Sequence, residues 1–162
     1  MPVKTKYIVL GSLAVIVAGG VSYYKYAQNQ LNFSIAGGSV GDVSNGVAQG
    51  TFTFKISNGT GIGFTLKALN LNIYVNNVFC GTVQQVAALS IPASGYSILP
   101  VTVTLDMSKL EYSAITDVLS LITGGGLAFL FQGYCTASVN LPLLSYFNIN
   151  MPVNEPYQLI GG

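Results

Sequence analysis

The sequence predicts a mainly β protein: an immunoglobulin-like antiparallel β-sandwich with one inserted α-helix, preceded by an N-terminal transmembrane helix. Three observations predict this class. Several segments alternate between apolar and polar residues, one segment has the apolar spacing of a helix, and the N-terminal part contains a long uncharged run. A chain of 162 residues has room for one domain and an appendage. We expect an anchor with its flanks in residues 1–30, a sandwich in residues 31–150 and an extended C-terminal tail in residues 151–162.

The uncharged run extends from Tyr7 to Tyr24 and contains 18 residues. About 20 apolar residues, each rising 1.5 Å, span a hydrocarbon core of ~30 Å. Tyrosines stand at both ends of the run, where aromatic side chains prefer the membrane interface. The run therefore predicts a membrane anchor, and the side chains expected to form it are Tyr7, Ile8, Leu10, Leu13, Val15, Ile16, Val17, Val21, Tyr23 and Tyr24.

A cleaved signal peptide is the alternative interpretation, because it also has lysines before an apolar core and small residues such as those of residues 18–22 near its end. The run is longer than an ordinary signal core and tyrosines flank it, which favours the anchor. A buried core helix would normally carry a polar face, and this run has none. Lys4 and Lys6 precede the run and Lys25 follows it. This excess of lysines before the run predicts a single-pass protein with its N-terminus on the cytoplasmic side, or on the interior side of a virion membrane.

Alternating segments predict the strands of the sandwich. Residues 51–58, TFTFKISN, place phenylalanine and isoleucine on one face, and residues 69–77, LNLNIYVNN, place Asn70, Asn72 and Tyr74 outward. The apolar residues of 64–68 have the opposite phase, which predicts a bulge or a change of sheet near Ala68. The segments VTVTLD and LAFLFQGYCTASVNL are expected to form further strands.

One segment, DMSKLEYSAITDVLSLITGGG, has helical rather than alternating spacing. Ser108 and Glu111 have the spacing of a capping box, and three glycines from Gly124 end the pattern. The carboxylates of Asp106 and Glu111 are therefore expected to stabilise the helix N-terminus. The residues predicted to form the apolar face of this helix are Leu110, Ala114, Ile115, Val118, Leu119 and Ile122.

The residues that commonly carry catalysis are scarce. The chain has no histidine, six lysines without arginine, and five scattered carboxylates, which excludes histidine-based triads and histidine–metal sites. We predict no enzyme, no catalytic residue, no cofactor and no metal. The net charge of +1 forms no basic patch, so nucleic acid is not an expected partner. Cys135 is expected to face inward as a free thiol, with a Cys80–Cys135 disulfide as the alternative.

The last twelve residues, MPVNEPYQLIGG, contain two prolines and end in two glycines. They are therefore not expected to form a helix or a central strand. We expect a disordered tail or one that lies extended along a neighbouring molecule, with Tyr157, Leu159 and Ile160 as the docking side chains.

Short motifs of the predicted sandwich resemble a known family. Ile73–Asn77 and Cys80–Gly81 match a strand pair, Ile91–Ala93 match the turn before a long strand, and Gly133 matches a glycine within a late strand. Over roughly residues 32–150 the chain resembles the type 2 late embryogenesis abundant (LEA) proteins, also called the water-stress and hypersensitive-response domain. The family has a proline after the asparagine of an earlier turn, where this chain has Gly59.

The resemblance implies a sandwich and no catalytic residues, and many members carry one N-terminal membrane helix. Lipid binding in a groove beside the helix has been proposed for some members. Our leading hypothesis is a non-enzymatic, membrane-anchored structural or interaction module, as in a cell envelope or a lipid-containing virion. Its expected partners are membrane lipids and other subunits, including copies of itself. The alternative function is a lipid-binding or lipid-transfer module.

Overall fold

The computed structural model describes residues 19, 22–85, 88–110, 126–141 and 148–160. Residues 22–30 are helical and are called α1. The strands are β1 (Leu31–Val40), β2 (Val47–Asn58), β3 (Phe64–Val75), β4 (Val78–Gln85), β5 (Leu89–Ile91), β6 (Tyr96–Asp106), β7 (Gly126–Val139) and β8 (Asn148–Ile160).

The strands form two sheets, and neighbouring strands within each sheet pair antiparallel. One sheet has the order β1-β2-β6, and the other has the order β4-β3-β7-β8 with β5 also paired to β3. Apolar side chains of both sheets form one buried cluster. The predicted mainly β, antiparallel sandwich is confirmed.

Aromatic rings hold the two sheets together at the centre of the core. The ring of Phe52 on β2 meets those of Phe129 and Phe131 on β7 edge to face, with centroids 5.1 and 4.9 Å apart. Phe54 packs against Phe131 in the same way at 5.5 Å. Such pairs contribute about 0.5–1.5 kcal/mol beyond the apolar area that they bury. The alternation in residues 51–58 therefore predicts the face of β2 that lies in the core.

The predicted irregularity near Ala68 is confirmed, since the register between β3 and β7 shifts between Leu66 and Ala68. On its other edge, β3 pairs with β5 before this point and with β4 after it. The bulge lets both halves of the long strand bury their apolar side chains although their phases differ. Asn76 and Asn77, both with positive φ, form the two-residue turn from β3 to β4.

The predicted inserted helix lies outside the described residues, because residues 111–125 are not among them. The residues before it are described. The hydroxyl and the backbone N–H of Ser108 both donate to the carboxylate of Asp106, and Leu110 is buried. Asp106 therefore satisfies a backbone N–H of the turn that follows β6.

The C-terminal residues differ from the expected tail. Residues 151–160 belong to β8, which pairs with β7 from Asn148 to Ile160 and forms an edge of the larger sheet. Pro152 and Pro156 are four residues apart, so their backbone nitrogens lie on the same side of this strand. An edge strand tolerates them because a missing N–H costs nothing where it faces the free edge. The prolines exclude a central strand, as predicted, but they do not prevent this segment from pairing within its own sheet.

Candidate functional site

The predicted anchor is described only at its C-terminal end. Among the described residues, the structure contains no helix long and apolar enough to cross a membrane. Tyr23 and Tyr24 are described, and both are half-buried against the hydrophobic core. The other predicted anchor residues lie outside the described residues, namely Tyr7, Ile8, Leu10, Leu13, Val15, Ile16, Val17 and Val21.

The helix α1 is attached to the sandwich at three points, which we call the junction. Ala27 is fully buried in the core cluster. The side-chain amide of Gln28 donates to the carbonyl oxygen of Asn150 on β8 at 2.9 Å, and the backbone N–H of Gly59 donates to the carbonyl oxygen of Gln30 at 2.9 Å. The last carbonyls of a helix lack partners within the helix, and Gly59 satisfies one of them.

A buried polar cluster holds the turn that carries Gly59. Asn58 donates through its amide nitrogen to the carbonyl oxygens of Ile62 and Pro92, at 2.8 and 2.9 Å. Its amide oxygen accepts from the N–H and the hydroxyl of Thr60, at 2.9 and 2.8 Å. Asn58 and Thr60 are buried, so these bonds fix the turn rather than compete with water. The turn thereby presents the N–H of Gly59 to the end of α1.

Sequence reasoning did not identify Gln28, Gln30 or Gly59 as functional residues. The one signal in the sequence was the glycine at position 59, where the resembled family has proline. A proline at this position has no N–H to donate to Gln30. The departure from the family pattern therefore coincides with the contact that ties α1 to the sandwich.

The predicted docking side chains of the C-terminal segment occupy different environments on β8. Tyr157 and Leu159 pack, half-buried, against the core of their own chain, whereas the side chain of Ile160 is 74% exposed. The ring of Tyr157 meets Phe52 edge to face with centroids 6.3 Å apart. Two of the three residues thus contribute to the sandwich itself.

Both cysteines are buried and free, so the predicted inward orientation of Cys135 and its free thiol are confirmed. Burial raises the pKa of Cys135 to about 12. Burial also raises the pKa of Cys80. A thiol becomes a nucleophile as the thiolate, so these raised pKa values make both groups unreactive at neutral pH.

Among the described residues, a cleft of about 720 Å³ lies between β4 and β6. Gly81 and Thr104 both line it, and a Cβ on Gly81 would lie 2.7 Å from the carbonyl oxygen of Thr104. Lys109 also lines the cleft, with its Nζ 3.9 Å from Asp106 and 5.6 Å from the centroid of the Phe79 ring. The two hydrogen bonds from Ser108, followed by the charge of Lys109, lower the pKa of Asp106. A carboxylate held ionised in this way is poorly suited to general acid catalysis at neutral pH.

No protein-family model matches the sequence, and no curated protein matches it. Solved structures do share its fold. A structural genomics target solved by X-ray diffraction has a TM-score of 0.54 at 13% identity, covering 82% of this chain and 87% of that one. The solution structure of an Arabidopsis thaliana protein has a TM-score of 0.54 at 13% identity, covering 79% and 80% of the two chains.

The third similar structure, also determined in solution, is described as that of a "putative late embryogenesis abundant (LEA) protein". It has a TM-score of 0.51 at 12% identity, and the match covers 98% of this chain and 86% of that one. Identities this low show a common fold and leave function to be argued from the site. The chain therefore has a β-sandwich fold similar to that of an LEA protein.

Proposed function

We propose that this chain is a non-enzymatic, single-pass membrane protein whose sandwich serves as a structural or interaction module in a membrane-associated assembly. The observation that carries this proposal is the junction. The described helical residues 22–30 begin within the uncharged run and end directly at β1, and Ala27 is buried in the core. Within the described residues, α1 passes into β1 with no intervening loop.

This packing fixes residues 22–30 against the sandwich, so an anchor that continues this helix would hold the sandwich in a defined orientation. A flexible tether would let the domain sample many orientations. A defined orientation favours repeated contacts with neighbouring subunits in a cell envelope or a lipid-containing virion. The surface is also poor in charge, since only 7% of the residues are charged, which limits repulsion between adjacent copies.

The anchor is tested by reconstituting the full chain into phospholipid vesicles and washing them with alkaline carbonate, which removes peripheral proteins. We expect the chain to stay with the vesicles. A Leu13→Lys, Val15→Lys double variant places two ammonium groups within the run, at a cost of about 5–7 kcal/mol for insertion, and should be released. The control is Val43→Lys, which alters an exposed residue of the sandwich. Release of the unmodified chain would disprove the anchor.

The assembly is tested separately, by crosslinking the full chain in the membranes of the source organism. We expect crosslinked species that contain further protein subunits or further copies of the chain. Crosslinks placed on β6 and β8 should report on the neighbours of the sandwich. Recovery of the monomer alone, at reagent concentrations that crosslink a known membrane oligomer, would contradict an assembly role.

A second candidate function is lipid binding, which the cleft between β4 and β6 and the fold shared with an LEA protein favour. A photoreactive phospholipid analogue presented to the full chain distinguishes lipid bound by the sandwich from lipid that surrounds the predicted anchor. Label on the β4 and β6 peptides would support lipid binding by the sandwich. Label confined to residues 7–24 would support the anchor and contradict this second function.

A further inference from the structure

The outer face of the larger sheet carries an ordered array of uncharged polar groups. Two rows of side chains cross four strands, in the order β4, β3, β7, β8, and their positions follow from the strand register. We call these eight residues the amide face. The first row consists of Thr82, Asn72, Gln132 and Asn154, and the second consists of Gln84, Asn70, Tyr134 and Pro152.

Strand alternation directs this array toward solvent. On β3 the residues between the rows, such as Leu71, are buried, and side chains that neighbour along a strand point to opposite faces of the sheet. Tyr134 is 52% exposed, although it lies near the middle of the sheet. No member of the amide face is charged. The face therefore offers hydrogen-bonding groups around an exposed aromatic ring, without an electrostatic field.

A groove of about 200 Å³ is lined by the members of both rows that lie on β4, β3 and β7. Its floor depends on Gly133, because a Cβ at this position would lie 2.0 Å from the carbonyl oxygen of Asn70. The glycine lets β7 approach β3 closely at this point. That approach brings Asn70 and Tyr134 together as neighbours across the two strands.

The polar groups of the groove are largely available to a ligand. The amide nitrogen of Gln132 donates to the amide oxygen of Asn154 at 2.8 Å, which fixes both side chains and leaves the other half of each amide group free to bond. The side chains of Asn70, Asn72 and Gln84 make no hydrogen bond to any residue that the structure describes. Each has one acceptor oxygen and two donor hydrogens.

From this arrangement we infer that the amide face binds a short, neutral oligosaccharide. Adjacent hydroxyl groups of a sugar each donate and accept, and an amide group satisfies such a pair with its oxygen and its nitrogen. The apolar C–H face of a sugar ring packs against an aromatic ring such as that of Tyr134. Phosphate, uronate and nucleic acid ligands need cationic groups, which the amide face lacks.

A protein partner fits this surface less well. The buried centre of a protein interface is enriched in aromatic and apolar side chains, and amide groups there need matched partners across the whole contact. Only Tyr134 and Pro152 contribute substantial apolar area to the amide face. A small ligand with many hydroxyl groups can form hydrogen bonds with the amide groups individually. A second protein would need a polar partner placed opposite each amide group.

The test uses the full chain in detergent micelles that contain no sugar headgroup. An array of neutral and uronate-containing oligosaccharides identifies the ligand, and calorimetry then measures its Kd. We expect a neutral oligosaccharide to bind. Tyr134→Ala should weaken that binding at least about tenfold. The matched control is Tyr96→Ala, which removes a tyrosine 57% exposed on the other sheet and should leave the Kd unchanged.

A Gln132→Ala variant provides a second measurement, because it removes an amide of the first row and should also weaken binding. Thermal unfolding of each variant shows that the fold is retained. The inference is overturned if no neutral oligosaccharide binds at millimolar concentration, if Tyr134→Ala leaves the Kd unchanged, or if only uronate-containing sugars bind. Retention of the chain on vesicles is unaffected by these variants, so failure here does not bear on the proposed anchor.

Discussion

The backbone N–H of Gly59 donates a hydrogen bond to the carbonyl oxygen of Gln30, with 2.9 Å between the two atoms. Gln30 ends α1, and Gly59 lies in the turn after β2. The contact closes the end of the helix and ties it to the sandwich. Together with the buried Ala27 and the hydrogen bond from Gln28 to Asn150, it holds α1 against the sandwich.

Replacing Gly59 by proline should loosen the junction. Gly59→Pro removes the N–H donor, and because Gln30 and Gly59 are exposed and water can replace this donor, the loss is about 0.5–1.5 kcal/mol. We expect α1 to detach more often from the sandwich. Trypsin should then cleave after Lys25, an exposed residue of α1, faster than in the unmodified chain. Gel electrophoresis of timed digests measures the rate.

Gly59→Ala is the matched control. It retains the N–H, and the nearest atom to its new Cβ is the Oε1 of Gln30 at 2.7 Å, the far end of a side chain that rotates away. Gly59 has no positive φ, so alanine is compatible with its backbone. A digestion rate as fast as that of the proline variant would mean that the hydrogen bond is not what holds α1.

Asn58 is expected to be the most sensitive polar residue of the sandwich. Asn58→Ala would leave the carbonyl oxygen of Pro92 without its donor and the N–H of Thr60 without its acceptor, whereas the hydroxyl of Thr60 can still donate to the carbonyl oxygen of Ile62. We expect the free energy of unfolding to fall by about 2–4 kcal/mol. Denaturant titration of the full chain in detergent measures it. The control is Asn32→Ala, at an exposed position of β1, which should change the free energy of unfolding by less than about 0.5 kcal/mol. Equal losses in the two variants would refute the special role of Asn58.

The sequence predicts the strand faces better than the strand partners. In residues 64–75 the two phases of apolar and polar alternation are visible in the sequence, because the alternation within one strand depends only on neighbouring residues. The pairing of β8 with β7 was missed because Pro152 and Pro156 interrupt the usual strand composition. They are accommodated only because this strand lies at an edge, and the position of an edge depends on the whole sheet.

For the amide face, too, the sequence predicts which side chains point outward but not which strands lie side by side. Alternation predicts that Asn70 and Asn72 point outward, and the structure confirms it. It does not predict that Gln132 and Tyr134 lie beside them, because that requires the register between strands about 60 residues apart in the chain. A cluster of individually ordinary polar residues leaves no signal in the sequence until the strands are placed together.

Burial of Cys135 should make stability depend on pH at the alkaline end. The pKa of this thiol is raised to about 12 in the folded chain, from a usual value of 9.0. The unfolded chain therefore releases the proton first as the pH rises, so this contribution to stability is complete below pH 9 and is lost between pH 9 and about 12. Denaturant titrations across this range should show a smaller loss for Cys135→Ala than for the unmodified chain. Parallel losses would contradict the role of this thiol.

Gly133→Ala should damage both the sheet and the inferred binding face. The new Cβ would lie 2.0 Å from the carbonyl oxygen of Asn70, a backbone atom that moves only if β3 and β7 separate. We expect the free energy of unfolding to fall by at least about 2 kcal/mol, with loss of oligosaccharide binding. Gly37→Ala is the control, because nothing lies within 4 Å of its Cβ and its stability should be unchanged or slightly higher. If the Gly133 variant were as stable as this control, the strands would not need the close approach on which the groove depends.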